Sequence, residues 1–341
     1  MVTKKIKIDS DDWSVLRGAA DVLSSGGLVA FPTETVYGLG ANAFNEEAVK
    51  NIYKAKGRPS DNPMIVHIAD KKDIFSVVRD VPESALVLME AFSPGPITYI
   101  LKKNEKIGDV VTAGLDTVAV RIPSDITARK LIEMSGCPVA APSANLSGKP
   151  SPTKAEHVIK DMDGRIDYII DGGSCQIGLE STVVDMTGDF PVILRPGAVT
   201  IEMIREYIPS AMMNTQLTGE VPKSPGMKYK HYSPDAEVIV VEGMRENGVI
   251  EKICELCGKN KDKKVGVILR CETETPIPDA DFILYAGETS GVYAANLFAL
   301  LRKCDDYGAD IVFAELERTD GIGTAVRNRI YKTAGNNVIK V

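Results

Sequence analysis

The sequence predicts an α/β protein in two domains, and three observations carry that reading. At 341 residues the chain is too long for one ordinary domain and comfortable for two, each large enough to bury a core. From residue 236 onward, β-branched runs alternate with helix-length segments, the pattern of a small parallel α/β sheet. Before that point, residues 221–234 show no periodicity and are rich in Pro, Lys and Tyr, as a linker or a functional loop would be. The expected division is therefore 1–208, a linker or lid at 209–235, and 236–341.

Residues 12–24 place Trp13, Leu16, Ala20 and Leu23 on one side of a helix that stops at Gly26-Gly27. Residues 28–31 read as a short buried strand that delivers the chain into residues 32–40, dense in hydroxyls and glycines, where sites are commonly built. Gly38-x-Gly40-x-x-Ala43 superficially fits the dinucleotide fingerprint. The match fails because the glycines come several residues after the strand, the next helix is capped at Asn45, and no acidic residue ends a second strand at the required distance. No GxxxxGK[ST] loop is present either.

Residues 45–56 read as a helix with Asn45 as cap and Glu46 and Glu47 in its first turn. Lys56 and Arg58 fall where it ends, and Pro59 and Pro63 stiffen the exit past Asp61 and Asn62. Two readings fit this stretch equally: a phosphate-binding turn, or a plain helix C-terminus whose cations complement the dipole. Residues 64–68 alternate like a strand carrying His67, a residue that in a strand is more often structural than catalytic. Residues 82–92 look helical, and Ser93-Pro94-Gly95-Pro96 punctuates before a strand at 97–101.

Residues 116–123 form a β-branched run with Arg121 inside an otherwise apolar strand. Burying that guanidinium is costly unless a carboxylate meets it, either a protein side chain or a ligand. A strand at 139–142 runs into a loop that offers Ser143, Asn145, Ser147 and backbone N–H groups. This is an ordinary turn by itself and a neutral phosphate cradle at a strand end. Thr153 and Glu156 have capping-box spacing and open a helix. Strands then follow at 182–185 and 192–194, edged by Glu180-Ser181 and Arg195, and residues 200–208 look helical. In the second part, strands are expected at 238–241, 265–269, 282–285 and 311–314, with helices near 246–257, 292–303 and 322–334.

Composition narrows the function classes. Hydrophobic residues make up 44% and charged residues 26%, and no apolar run is long enough to cross a bilayer. The N-terminus has cations without an apolar core behind them, so a cytoplasmic protein is expected. A formal net charge of −7 argues against a constitutive nucleic-acid coat while allowing a local basic cleft. The six cysteines form no disulfide-like framework. Cys254 and Cys257 make one CxxC inside a helical pattern, with no second pair or nearby His to complete a zinc site, so no metal ligands are assigned.

The ordered motifs PTETVYGLGA, KGRPSDNP, SPGPITYIL, VAVRIP, APSANLSGKPSPT, ESTVVD and ILRPGAVT resemble the YrdC/Sua5 family of threonylcarbamoyl-AMP synthases over essentially the whole chain. The resemblance implies a YrdC-like twisted mixed sheet with helices over residues 1–208. A long linker would join it to a small Rossmann-like parallel α/β domain of the Sua5 type. It implies an enzyme, a nucleotidyltransferase, that joins L-threonine, bicarbonate or CO2 and ATP into threonylcarbamoyl-AMP with release of pyrophosphate. The product feeds N6-threonylcarbamoyladenosine at position 37 of tRNAs through a downstream tRNA threonylcarbamoyl transferase.

By similarity, Lys56, Arg58, Ser143 and Asn145 form the catalytic set. Arg58, Asn62, Thr117, Ser143, Ser151, Arg195 and Tyr232 would contact ATP, while Thr35, His67, Arg121, Ala141 through its backbone, and Ser181 would hold threonine. Magnesium would arrive on the phosphates of ATP. A monomer is expected, with no membrane partner and at most a weak direct contact with tRNA. Tyr232 and the neighbouring cations would fold over the nucleotide as a lid.

A carbamate made from threonine's amine is a short-lived nucleophile, so positioning should dominate. Holding both reactants in attack geometry is worth roughly 7–11 kcal/mol, against roughly 3–4 for one well-placed donor. The alternative is an RNA-binding module of YrdC type acting in tRNA or rRNA maturation; the acidic balance and scarcity of aromatics weigh against it. Carbamoyl-transfer proteins with a similar domain also carry acylphosphatase and zinc-finger segments, which this sequence lacks.

Overall fold

The computed structural model describes residues 1–214, 232–317 and 321–341. Of the linker and lid expected at 209–235, residues 215–231 lie outside them. Among the described residues the chain forms two units: residues 1–147, 151–176 and 180–214 in the first, and 148–150, 177–179 and those from 232 onward in the second.

In chain order the first unit comprises β1 (Lys4–Lys7), α1 (Arg17–Ser24), β2 (Val29–Phe31), β3 (Gly38–Asn42), α2 (Glu46–Lys56), β4 (Ile65–His67), α3 (Glu83–Phe92), β5 (Ile97–Lys102) and α4 (Asp109–Thr112). It continues through β6 (Thr117–Arg121), α5 (Ile126–Ser135), β7 (Val139–Ala141), α6 (Ala155–Met162), β8 (Tyr168–Asp171), β9 (Thr182–Asp185), β10 (Val192–Arg195), α7 (Ile201–Tyr207) and β11 (Met212–Met213). Its strands form one mixed sheet in the order β1-β8-β2-β3-β7-β4-β6-β5-β9-β10-β11.

Side chains alternate between the faces of a strand, so each short strand feeds two layers. Leu39, Val66, Tyr99, Val118, Val120, Ala140 and Val184 point into the main core, where helices α2, α3, α6 and α7 supply Ile52, Leu88, Val158 and Ile204. On the other face, α1 and α5 cover Val29, Phe31, Val139 and Ala141. Farther along that face a small separate cluster of Ile65, Ile100, Ala119 and Val183 continues the sheet surface. The glycines of the rejected dinucleotide fingerprint have a packing reason: a Cβ on Gly40 would meet Phe31 and Val139 at 2.8 and 2.6 Å.

The expected capping box does not form. Helix α6 begins after Lys154 without a side-chain cap, because Thr153 is drawn into the loop network: its carbonyl accepts the Cys175 N–H at 2.9 Å and its own N–H reaches His157 Nδ1 at 3.2 Å.

The second unit contains β12 (Glu237–Glu242), α8 (Val249–Lys259), β13 (Val265–Leu269), β14 (Phe282–Tyr285), α9 (Ser290–Asp306), β15 (Ile311–Leu316), α10 (Ile322–Thr333) and β16 (Val338–Lys340). All its strand pairs are parallel, in the order β14-β13-β15-β12-β16, which meets the expectation of a small parallel α/β sheet. Cys254 and Cys257 lie on α8 as free thiols. Among the described residues no helix is long and apolar enough to cross a membrane.

Candidate active site

Strand register gathers Thr117, Arg121, His67, Ala141 and Arg195 along one sheet face. Thr117, Ala119 and Arg121 alternate onto it from β6; Ile65 and His67 do so from β4, with Ile65 opposite Ala119 and His67 opposite Arg121. Ala141 and Val139 of β7 pair with the same two β4 residues. Thr98 and Ile100 continue the face on β5, and Val183 on β9. A register shift between Ile193 and Arg195 brings Arg195 opposite Val183. The apolar residues of this row form a floor; the polar ones rise from it.

The basic turn stands at one end of the row. Asn45 caps α2 through the Ala48 N–H, and Gly57, at φ 61°, closes the helix in the left-handed conformation that a Cβ would strain. The Arg58 N–H then bonds the Tyr53 carbonyl at 3.0 Å. The Arg58 side chain, half-buried, donates to the carbonyl oxygens of Asn62 and Pro63 at 3.2 and 3.3 Å. Asn62 is 1% exposed, and its Oδ1 accepts no hydrogen bond.

Because β7 runs antiparallel to β4, the Ser143–Asn145 loop emerges at the end of the sheet where the basic turn enters it, and Thr117 begins β6 there too. Lys56 joins the turn to this loop. Its ammonium is buried and donates to the carbonyl oxygens of Ser143 and Asn145, both at 2.5 Å, and to Asn145 Oδ1 at 3.4 Å. Ser143 Oγ donates to Asn145 Oδ1 at 2.5 Å, and the Ser147 N–H returns to the Lys56 carbonyl at 2.9 Å.

Arg121 lies four residues beyond Thr117 on β6, roughly 13 Å on, with His67 as its register partner on β4. Arg121 answers the question left open by its sequence: its partner is a protein carboxylate. NH2 lies 2.9 Å from Glu34 Oε2, both groups buried, and NH1 donates to Thr35 Oγ1 at 2.8 Å. Glu34 Oε1 accepts the Ser124 N–H at 3.1 Å. Burial acts to raise the Glu34 pKa, but the charge of Arg121 and the Ser124 N–H outweigh it and the net shift is downward. Arg121 NH2 meets Glu34 Oε2 in a contact made chiefly of charge, and Arg121 Nε is buried without a hydrogen-bond acceptor. His67 Nδ1 is buried without a partner as well. Burial first, then the charge of Arg121, push the imidazole pKa down to about 3, so it is neutral at ordinary pH.

Across the floor, Ser181 Oγ shares a hydrogen bond with Thr98 Oγ1 at 2.7 Å and accepts from Arg195 NH2 at 3.2 Å, while Arg195 Nε donates to the Ser181 carbonyl at 3.1 Å. Ser151 Oγ donates to Glu180 Oε1 at 2.6 Å, both groups buried. Tyr232 belongs to the second unit, where it is buried and stacked on Phe298 with centroids 5.1 Å apart.

Glu34, Thr98 and Glu180 were given no site role from the sequence, yet each holds a residue that was. Period-two alternation puts Thr98 on the same face as Ile100, a signal that was readable. Nothing local distinguishes Glu34 or Glu180.

Residues 21–197 match the Sua5–YciO–YrdC family, described as telomere recombination, and residues 199–335 match the threonylcarbamoyl-AMP synthase C-terminal domain. The threonylcarbamoyl-AMP synthase of Pyrococcus abyssi is 50% identical over 336 residues, 97% of either chain. The protein of the same name from Bacillus subtilis is 46% identical over 350 aligned residues, covering all of both. The crystal structure of P. abyssi Sua5 complexed with L-threonine superposes with a TM-score of 0.94 at 48% identity, covering 100% of both chains. With its first half and its second half each matched in order, this chain belongs to the Sua5–YciO–YrdC family, in the branch that carries the threonylcarbamoyl-AMP synthase C-terminal domain.

Proposed function

We propose that this chain is a threonylcarbamoyl-AMP synthase that condenses L-threonine, bicarbonate or CO2, and ATP, and releases pyrophosphate. The observation that carries the reading is the buried edge of Arg121. Nε has no hydrogen-bond acceptor, and NH2, beside Glu34 Oε2, carries a second N–H in the same fixed fork; a ligand carboxylate matches that fork. Buried donors left unmade are costly, so such an edge is most simply explained by a ligand that fills it. The relatives named above and the threonine complex support threonine as that ligand.

The chemistry then runs by positioning. Threonine's amine nitrogen attacks the carbon of CO2 and loses a proton, giving a carbamate. A carbamate oxygen attacks the α-phosphorus of ATP, and the bond to the β-phosphate oxygen breaks to release pyrophosphate, which makes the reaction a nucleotidyl transfer. Arg58, Asn62, Thr117, Ser143, Ser151, Arg195 and Tyr232 are proposed to hold ATP; Thr35, His67, Arg121, the Ala141 backbone and Ser181 are proposed to hold threonine. A neutral His67 can meet threonine's polar groups without adding a second positive charge beside Arg121. Lys56 acts by shaping the Ser143–Asn145 loop, since its ammonium is engaged with that loop's oxygens.

Magnesium is proposed to come with the phosphates. Their hard oxygens suit it, and among the described residues no three His, Cys, Asp or Glu side chains converge as a cation site. The proposal extends to residues 1–208 as the catalytic domain, 209–235 as linker and lid, and 236–341 as the Sua5-type domain. It also takes in a cytoplasmic monomer that hands its product to a tRNA threonylcarbamoyl transferase, with weak direct tRNA contact.

The test is pyrophosphate release by the purified full chain with threonine, bicarbonate and ATP omitted in turn. Each omission should abolish release. Undiminished release without threonine would refute the proposal.

A further inference from the structure

We infer that Glu34 is a positioning residue that fixes the Arg121 guanidinium so that its Nε–NH2 edge is kept for the substrate carboxylate. The inference rests on the reading of that edge as the threonine subsite. Two consecutive loop residues hold two corners of the guanidinium: Thr35 Oγ1 accepts from NH1 at 2.8 Å, and Glu34 Oε2 lies 2.9 Å from NH2. Both are themselves anchored. Thr35 Oγ1 shares a hydrogen bond with Thr33 Oγ1 at 2.8 Å, and Glu34 Oε1 accepts the N–H of Ser124, in the turn that leaves β6 three residues after Arg121.

The carboxylate of Glu34 therefore ties the start of the turn after β6 to the charged end of the β6 arginine. Its contact with NH2 supplies charge and leaves Nε without an acceptor. A neutral side chain in its place would leave a buried cation uncompensated and its plane unfixed. The bidentate geometry would then have to be formed at the moment of binding, when orientation is most costly.

A residue of purely structural importance would disturb both substrates together, whereas a positioning residue moves one Michaelis constant. The experiment measures KM for L-threonine and for ATP, kcat and melting temperature in the full-length chain for Glu34→Gln, Glu34→Asp and Arg121→Gln. Glu34→Gln should raise KM for threonine about tenfold or more while KM for ATP and kcat at saturating threonine stay within about twofold, and Glu34→Asp, which keeps the charge, should fall between it and wild type. A threonine KM within about twofold of wild type in a folded Glu34→Gln, or both Michaelis constants rising together, overturns the inference. Failure of both Glu34 variants to fold marks the residue as structural and overturns it too. If Arg121→Gln loses threonine while Glu34→Gln does not, the inference alone fails; if Arg121→Gln keeps the wild-type threonine KM, the subsite reading falls and the inference with it.

Discussion

His67 and Arg121 are register partners on the parallel strands β4 and β6, so an imidazole and a guanidinium share one buried sheet face two strands wide. A second cation there would be repelled, and the imidazole has lost its water. Its pKa falls from the ordinary 6.5 to about 3.

The first prediction follows from linkage. Between about pH 6.5 and about pH 3 the unfolded chain binds a proton on His67 that the folded chain refuses, so this residue makes stability decline as pH falls through that window. Lowering the pH from 7.5 to 5 should cost about 2 kcal/mol from this group alone. Nearby carboxylates add their own slopes: Glu34, shifted down, acts in the same direction, and Asp125, raised by burial, opposes it. A His67→Gln variant removes one contribution and leaves the others. Urea unfolding at the two pH values should therefore show a smaller acid loss in the variant, and an equal loss in both proteins would mean His67 protonates freely in the folded state.

The second prediction concerns the Glu34–Arg121 pair. Removing one member of a buried ion pair strands the other, at about 3–5 kcal/mol, whereas replacing both with apolar groups is far less harmful. Arg121→Met should thus destabilise strongly, and the double variant Glu34→Leu/Arg121→Met should recover most of the loss. Denaturant melts of the four proteins give the coupling directly. Additive losses would show that the two groups do not depend on each other in the fold.

Much of this site was legible in the sequence because it follows from strand periodicity and punctuation. Asn45, Gly57, the alternation at 64–68 and the β-branched run at 116–123 announce a helix and two strands, and these elements occur where expected, the strands buried on both faces. The partner of Arg121 was not legible. Glu34 is 87 residues away along the chain, and only the three-dimensional path of β2 and β3 brings it beside β6. Strand β3 escaped notice because its glycines look like a loop, although they are there to let Phe31 and Val139 approach. Helix α5 was missed as well. Edge strand β1, with three lysines in four residues, carries no apolar alternation to read.

Lys56 carries the third prediction. Its ammonium is the tie between the basic turn and the Ser143–Asn145 loop, so its loss should act through the loop. Lys56→Met should cost about 1–3 kcal/mol and speed amide exchange at Ser147, whose N–H bonds the Lys56 carbonyl. Lys56→Arg should not rescue, because a planar fork cannot converge on oxygens arranged around a point charge. The ATP Michaelis constant should rise in both variants. Full activity in Lys56→Met would mean the loop holds its shape without the tie.

The last prediction lies in the second unit, where Glu315 is 1% exposed and accepts three hydrogen bonds: from Arg245 Nε at 2.7 Å, Arg245 NH2 at 2.9 Å and the Arg270 N–H at 2.8 Å. Arg245 also donates to the carbonyl oxygens of Cys271 and Glu272, so this one carboxylate fastens the turn after β12 to the exit of β13. Arg245 is about a third exposed and can turn to water, which limits the damage, but a glutamine offers one acceptor oxygen to donors that now reach two. Glu315→Gln should therefore destabilise by about 1–3 kcal/mol, less than the loss expected for Arg121→Met. By contrast Glu47→Ala, which breaks a solvent-exposed pair with Lys50, should leave the melting temperature unchanged. Calorimetry of the three variants should rank them Arg121→Met, Glu315→Gln, Glu47→Ala. A Glu315→Gln transition that coincides with wild type would show that its hydrogen bonds, not its charge, are what the unit requires.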